Sequence, residues 1–369
     1  MPALRIKSRL LRQLDKDIAA APTSVRAACL RAKRAMLLAR HGALTDAREA
    51  LTELHQLAFQ HPHPEISAWL HMAEGLMGYY TDFSESAQDK VLRACVIARA
   101  EGGMPEIEGL ALAWLVHFAY YRHDYAALVE YGRDCLAVLR PEHHVAHARF
   151  AMALGLAWHH AGDAARAQPW YARARRHAAS EGDDASLSAL MYNMAEMRAA
   201  QACRETLDLA HRNAAELLLG ADSVRHYDEA VGAAVMNELT PLLRARILVL
   251  QGRYAEARLL YEQNLPQAMS RALTRLDSSR LSDLAWCQAN CGSPEQALSQ
   301  ARKAEAELDP SCDPDDRAIT HGRLAQVFAL LGMAEEAQRH RAMAAQEWTG
   351  FAELQQDWRG RLEAAGFQP

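Results

Sequence analysis

Long apolar runs are missing from this chain. No stretch of about 18 consecutive apolar residues occurs, which excludes a membrane-spanning helix. The first residues also lack the apolar core of a secretory signal. Aromatic residues make up only 7%, and runs of β-branched residues, the usual material of sheets, are nearly absent. The seven cysteines, Cys29, Cys95, Cys135, Cys203, Cys287, Cys291 and Cys312, are scattered, odd in number and contain no CxxC pair. That pattern points away from a disulfide framework or a zinc ribbon and towards a reducing, cytoplasmic setting. Glycine-rich phosphate loops, a GxSxG elbow and the HExxH zinc signature are all absent. The expectation is a protein with no catalytic residues, no metal and no cofactor.

What remains is a helix-forming composition. Half of the residues are apolar, and alanine, leucine, arginine, glutamate and glutamine dominate, the best helix formers. The predicted fold class is all-α. The net charge of −5 is unevenly spread. Residues 1–40 hold ten basic and two acidic groups, a local +8 that leaves −13 for the rest. Two terminal helices with a solvated basic face account for this, and no nucleic-acid module accompanies it.

Residues 148–174, ARFAMALGLAWHHAGDAARAQPWYARA, show the organising pattern. Leu154, Gly155 and Trp158 mark one helix, Gly162 breaks it, and Ala167, Tyr171 and Ala174 recur at helical spacing in the next. Comparable turn positions are Gly42, Thr81, His123, Gly162, Gln201, Gly252, Gly292 and Gly332, spaced 39, 42, 39, 39, 51, 40 and 40. The one long interval is expected to hold a polar loop, or a junction between sub-arrays, near 219–232. Gly155, Ala195, Ala245, Ala285 and Ala325 in the first helices, with Ala47, Ala167, Ala257, Ala297 and Ala337 in the second, predict close helix crossings that larger side chains would overpack. Each hairpin must stack on its neighbours to bury its apolar face. Prolines stand mostly ahead of helices, as at Pro64-Glu65, Pro105-Glu106 and Pro294-Glu295.

The order Leu-Gly, aromatic, Gly, Ala, aromatic, Ala resembles the tetratricopeptide repeat, a helical hairpin that stacks into a solenoid. The period near 40 is similar to that of the long-repeat arrays of bacterial regulators. The resemblance implies a right-handed α-α superhelix of about eight hairpins with terminal capping helices. The expected organisation is a basic amphipathic helix over 1–22, the repeat array over 23–346 and a capping helix over 347–369, which carries Trp348, Phe351, Leu354, Trp358 and Leu362 at spacings of three and four.

In such arrays the first helix of each hairpin lines the concave surface. Counting back from each turn places His71, Tyr79, His117, Tyr121, Met152, Leu156, His159, Tyr192, Asn193, Arg198, Arg246 and Trp286 there. Aromatic, Arg and Asn side chains on such a wall suit a peptide or protein segment. The leading expectation is a non-enzymatic protein- or peptide-binding scaffold. The alternative is a ligand- or peptide-sensing regulatory module acting on an effector in trans. The seventeen histidines include His143 and His147 four apart on one helix face, but the adjacent Glu142 points off that face and no cysteine is close by.

Overall fold

A computed structural model describes residues 6–82, 86–206, 214–233, 237, 239–270, 277–309 and 312–369. Among these residues every regular element is an α-helix. After α1 (Arg9–Ala19) come α2 (Ser24–Arg40) and α3 (Leu44–Gln60), α4 (Pro64–Asp82) and α5 (Ser86–Glu101), α6 (Pro105–Tyr121) and α7 (Tyr125–Val138), and α8 (His144–His160) and α9 (Ala164–Glu181). Then follow α10 (Asp184–Thr206) and α11 (Ala214–Val231), α12 (Leu239–Leu250) and α13 (Tyr254–Ser270), α14 (Asp277–Asn290) and α15 (Pro294–Ala306), and α16 (Pro314–Leu330) and α17 (Ala334–Ala365). Successive helices pack as antiparallel hairpins, an all-α helical repeat fold.

The hairpin turns share one hydrogen-bond scheme. The N–H groups of Ala43, Asp124, Asp163, Arg253, Ser293 and Met333 each donate to the carbonyl five residues back, at 2.8–3.0 Å. This bond closes the preceding helix and requires a left-handed residue just before the donor. Gly42, Gly162, Gly252, Gly292 and Gly332 supply it with φ of 72–81°. His123 does so with a side chain, at φ 55°.

Two sequence readings fail in the long interval: the turn at Gln201 and, of the two alternatives near 219–232, the polar loop. Gln201 lies inside the 23-residue helix α10 rather than at a turn. Residues 219–230 are not a loop but most of α11. Ala221 and Val224 are buried there at helical spacing, so the polar residues between them are simply the outer face.

The chain forms two compact units. Unit 1 comprises Met1–Leu190, Tyr227–Val235 and Trp358–Pro369, and unit 2 comprises Met191–His226 and Met236–Asp357.

In unit 1 the first helices α2, α4, α6 and α8 pack in succession, each with its second helix alongside. The small residue at the α8/α9 crossing is required: a Cβ on Gly155 would lie 2.6 Å from the Tyr171 ring. This unit also closes on itself. Arg40, at the end of α2, donates to both carboxylate oxygens of Asp183 at 2.7 and 2.8 Å and to Ser186 Oγ at 2.6 Å. The N–H of Lys7 donates to the Val231 carbonyl at 2.9 Å.

The segment from Trp358 onward contributes to the same unit. Trp358 is buried among the rings of Tyr120, His123, Tyr125 and His160 at 5.8–6.0 Å. Phe367 stands against Gly132, where a Cβ would come within 2.7 Å of its ring.

Unit 2 is centred on α12 to α16, with Leu242, Leu248, Tyr261, Leu281, Leu284, Leu324 and Phe328 in its core. Residues 347–365 form the distal part of the 32-residue α17 rather than a separate helix. Trp348 packs on a cluster drawn from α10, α12 and α16, namely Cys203, Leu250 and Ile319. That is wider than the single final hairpin expected for a cap. Among the described residues no helix is long and apolar enough to cross a membrane.

Candidate functional site

The first helices of unit 1 bring the expected aromatic residues together. Tyr79 on α4 pairs its hydroxyl with His117 Nε2 on α6 at 3.0 Å. Its ring meets Tyr80, Trp114 and Phe118 edge-on at 5.1–5.5 Å. Tyr121 follows one turn after His117, their ring centroids 4.7 Å apart. Arg149 on α8 lies 3.8 Å from the Trp114 ring centroid, and donates to Tyr80 Oη at 3.4 Å and weakly to Met152 Sδ at 3.8 Å. A guanidinium over an indole at this distance is a strong cation–π geometry. Burial, and after it the charge of Arg149, hold the His117 pKa well below the ordinary range, so its imidazole is neutral.

Several residues expected on an open wall are enclosed instead. His117, Met152, Leu156 and His159 are all buried. The His159 ring bonds Tyr171 Oη at 3.2 Å within its own hairpin. His71 is tied to Glu74 at 3.1 Å. Burial opposes ionisation of Glu74, but hydrogen bonds from Lys90 and His71 hold its carboxyl below its ordinary value. Tyr121, 38% exposed, is the member of the group that reaches solvent furthest.

In unit 2 the expected Arg246 is the hub of a buried polar stripe along α10, α12, α14 and α16. It donates to Glu196 Oε1 at 3.2 Å and to Ser279 Oγ at 2.7 Å, and lies 3.8 Å from Asp283. Asp283 also accepts from Arg323 at 2.9 Å and from the Tyr261 hydroxyl at 3.1 Å. Arg323 continues to Gln326 at 2.6 Å, and its guanidinium faces the Trp286 ring at 5.7 Å. Burial acts against the Arg246 charge, but Glu196 and Asp283 more than offset it and keep the group ionised. Tyr192 is buried and donates to Glu196 at 3.4 Å. Asn193 is half-buried beside it, whereas Arg198 is exposed and stands outside the stripe.

Sequence reasoning missed Glu196, Ser279, Arg280, Asp283 and Arg323. Asp283 and Arg323 carry a findable signal, since they lie 40 residues apart, one repeat period, and so hold the same place in successive first helices. Arg280 is buried at the first turn of α14. Its Nη1 has no hydrogen-bond partner.

Of the metal-binding residue types, Asp313, Asp315 and Asp316 form a close acidic group at the start of α16, with Asp315 paired to Arg204. Asp313 is the N-cap of that helix. His143 and His147 do not converge. His143 Nδ1 accepts from the Arg140 N–H, and His147 stacks on His177 at 4.5 Å.

No protein-family model matches the chain, and no curated protein matches its sequence. Among solved structures, the chain is similar to a Rap protein crystallised in complex with competence and sporulation factor, with a TM-score of 0.56 and 10% identity. The match covers 89% of this chain and 99% of that one. At that identity the likeness is one of fold, and it supports a TPR-like helical repeat fold.

Proposed function

We propose that this chain is a non-enzymatic binding protein that holds a peptide or protein segment against the first-helix faces of its hairpins. The observation that carries the reading is the group on α4, α6 and α8, where Tyr79, Tyr80, Trp114, His117, Tyr121 and Arg149 adjoin one another. Aromatic side chains with an arginine are the residues that most often dominate binding energy at interfaces. A rigid set of rings gives contact area at low entropic cost. A second reading, a regulatory module that senses such a segment, is favoured by the fold neighbour, which was crystallised with a bound factor.

Selection from a displayed peptide library on the immobilised protein tests the first reading. Enriched peptides are expected to lose at least about tenfold in affinity, about 1.4 kcal/mol, when Tyr79 and Tyr121 are both changed to alanine, with the melting temperature of the variant recorded alongside. A selection without enrichment, or an affinity unmoved in a folded double variant, overturns it.

A further inference from the structure

Five arginines are deeply buried among the described residues: Arg40, Arg149, Arg246, Arg280 and Arg323. Four have partners that account for them. Arg40 has Asp183, Arg149 has Tyr80 and the Trp114 ring, Arg246 has Glu196 and Ser279, and Arg323 has Asp283 and Gln326. Arg280 is different. It is 2% exposed, its Nη1 is enclosed without a hydrogen-bond partner, and among the described residues it forms no ion pair.

An unpaired buried guanidinium is costly, because desolvation of the charge is not repaid by an opposite charge or by acceptors. The position of Arg280 aggravates this. It lies in the first turn of α14, where the helix dipole presents its positive end. The neighbouring stripe gives no relief, since its buried carboxylate Asp283 is already shared by Arg323, Arg246 and the Tyr261 hydroxyl. Arg280 follows Ser279, which accepts from Arg246, and precedes Asp283 by one helical turn, so it adjoins the stripe in unit 2. An anion placed there would pair the orphaned nitrogen and face the helix N-terminus, the arrangement that binds carboxylates and phosphates elsewhere.

We propose that Arg280 anchors a carboxylate of a bound peptide in unit 2, at the first turn of α14 and beside the Arg246–Asp283–Arg323 stripe. This rests on the peptide-binding reading above, and names the chemistry the peptide must carry. The carboxylate can come from the peptide C-terminus or from an aspartate or glutamate side chain.

The test uses thermal melting of the full chain with pools of mixed-sequence peptides about six residues long, sized for an extended segment. Four pools are compared: free acids, C-terminal amides, free acids lacking Asp and Glu, and amides lacking Asp and Glu. The free-acid pool is expected to raise Tm by about 2 °C or more, and the pool without any carboxylate to leave it unchanged. The two intermediate pools tell which carboxylate is used.

Arg280→Met is expected to lose the shift while melting at or above the wild-type temperature, because it removes an unpaired buried charge without touching Arg246 or Arg323. The proposal is overturned by a shift with the carboxylate-free pool equal to that with free acids, by a shift retained in Arg280→Met, or by a large fall in the melting temperature of that variant. A wild-type protein unmoved by all four pools also overturns it. If the library selection still yields binding peptides in that case, only the Arg280 assignment fails; if both fail, the peptide reading goes with it.

Discussion

His41 shows how one buried side chain makes stability depend on pH. It caps the end of α2, is fully enclosed, and neither ring nitrogen has a hydrogen-bond partner. Burial first, and the adjacent Arg40 charge second, push its pKa down from 6.5 to about 4. The folded protein therefore leaves it neutral down to about pH 4, whereas the unfolded chain protonates it near 6.5. Between those values the unfolded state binds more protons, so stability falls as the pH is lowered from 6.5 towards 4 and is flat above. His340, buried against His321 at 3.0 Å, is displaced in the same direction by burial and by that neighbour. Urea midpoints measured at pH 7, 6 and 5 are expected to decline, and His41→Leu to make the decline shallower. At pH 7 the leucine variant should be no less stable than wild type, since it removes a polar group that has no partner. An unchanged pH slope in His41→Leu would place the effect elsewhere.

At the scale of the helix pair, the crossing of α8 and α9 is the tightest test of the repeat. Gly155→Ala adds one methyl where the Tyr171 ring already stands. The expected cost is about 1–3 kcal/mol, read from denaturant unfolding. Ala165→Ser, at an exposed position on α9, should change little. Such crossings were legible in the sequence because they obey a local rule: a small residue at fixed distance from a glycine turn. The turns at Gly42, Gly162, Gly252, Gly292 and Gly332 were legible for the same reason.

The failures have physical causes too. Residues 219–230 look like loop because Gly220 and Asp222 are poor helix formers, yet Ala221 and Val224 pack on α10 and α12 and override that preference. With α10 running on past Gln201, counting back from a supposed turn there misplaced Arg198, which is exposed. Glu196 and Ser279, which Arg246 bonds, and Asp283, which Arg323 bonds, lie 33 to 50 residues from those arginines along the chain. No short-range pattern announces a network of that reach, so Arg246 was found by register and its carboxylates were not. The inner aromatic residues were found, but their enclosure was not, because burial depends on how tightly the first helices of unit 1 draw together.

At the scale of the molecule, unit 1 is built from segments far apart in sequence. Arg359 donates to the Ala161 carbonyl at 2.9 Å, Arg166 pairs with Glu363 at 2.7 Å, and the Tyr125 hydroxyl donates to the Arg361 carbonyl. Ending the chain after Asp357 removes these bonds together with Trp358, Leu362 and Phe367. Hydrogen exchange is expected to quicken across α6 to α9, with α12 to α16 little changed. Protection of α6 to α9 equal to that of the full chain would show that these late residues contribute nothing to unit 1.

Trp358 also has a kinetic consequence. A simple repeat array can fold outward from any hairpin, because each repeat needs only its neighbours. Here the site between His123 and His160 stays open until a residue about two hundred positions further on has been synthesised and has found it. Closing a loop of that length is slow compared with forming a hairpin. On the ribosome, at roughly 5–20 residues per second, the rings of Tyr120, Tyr125 and His160 would stand uncovered for on the order of ten seconds or more. During that interval the nascent chain offers an apolar cleft that the finished protein does not have.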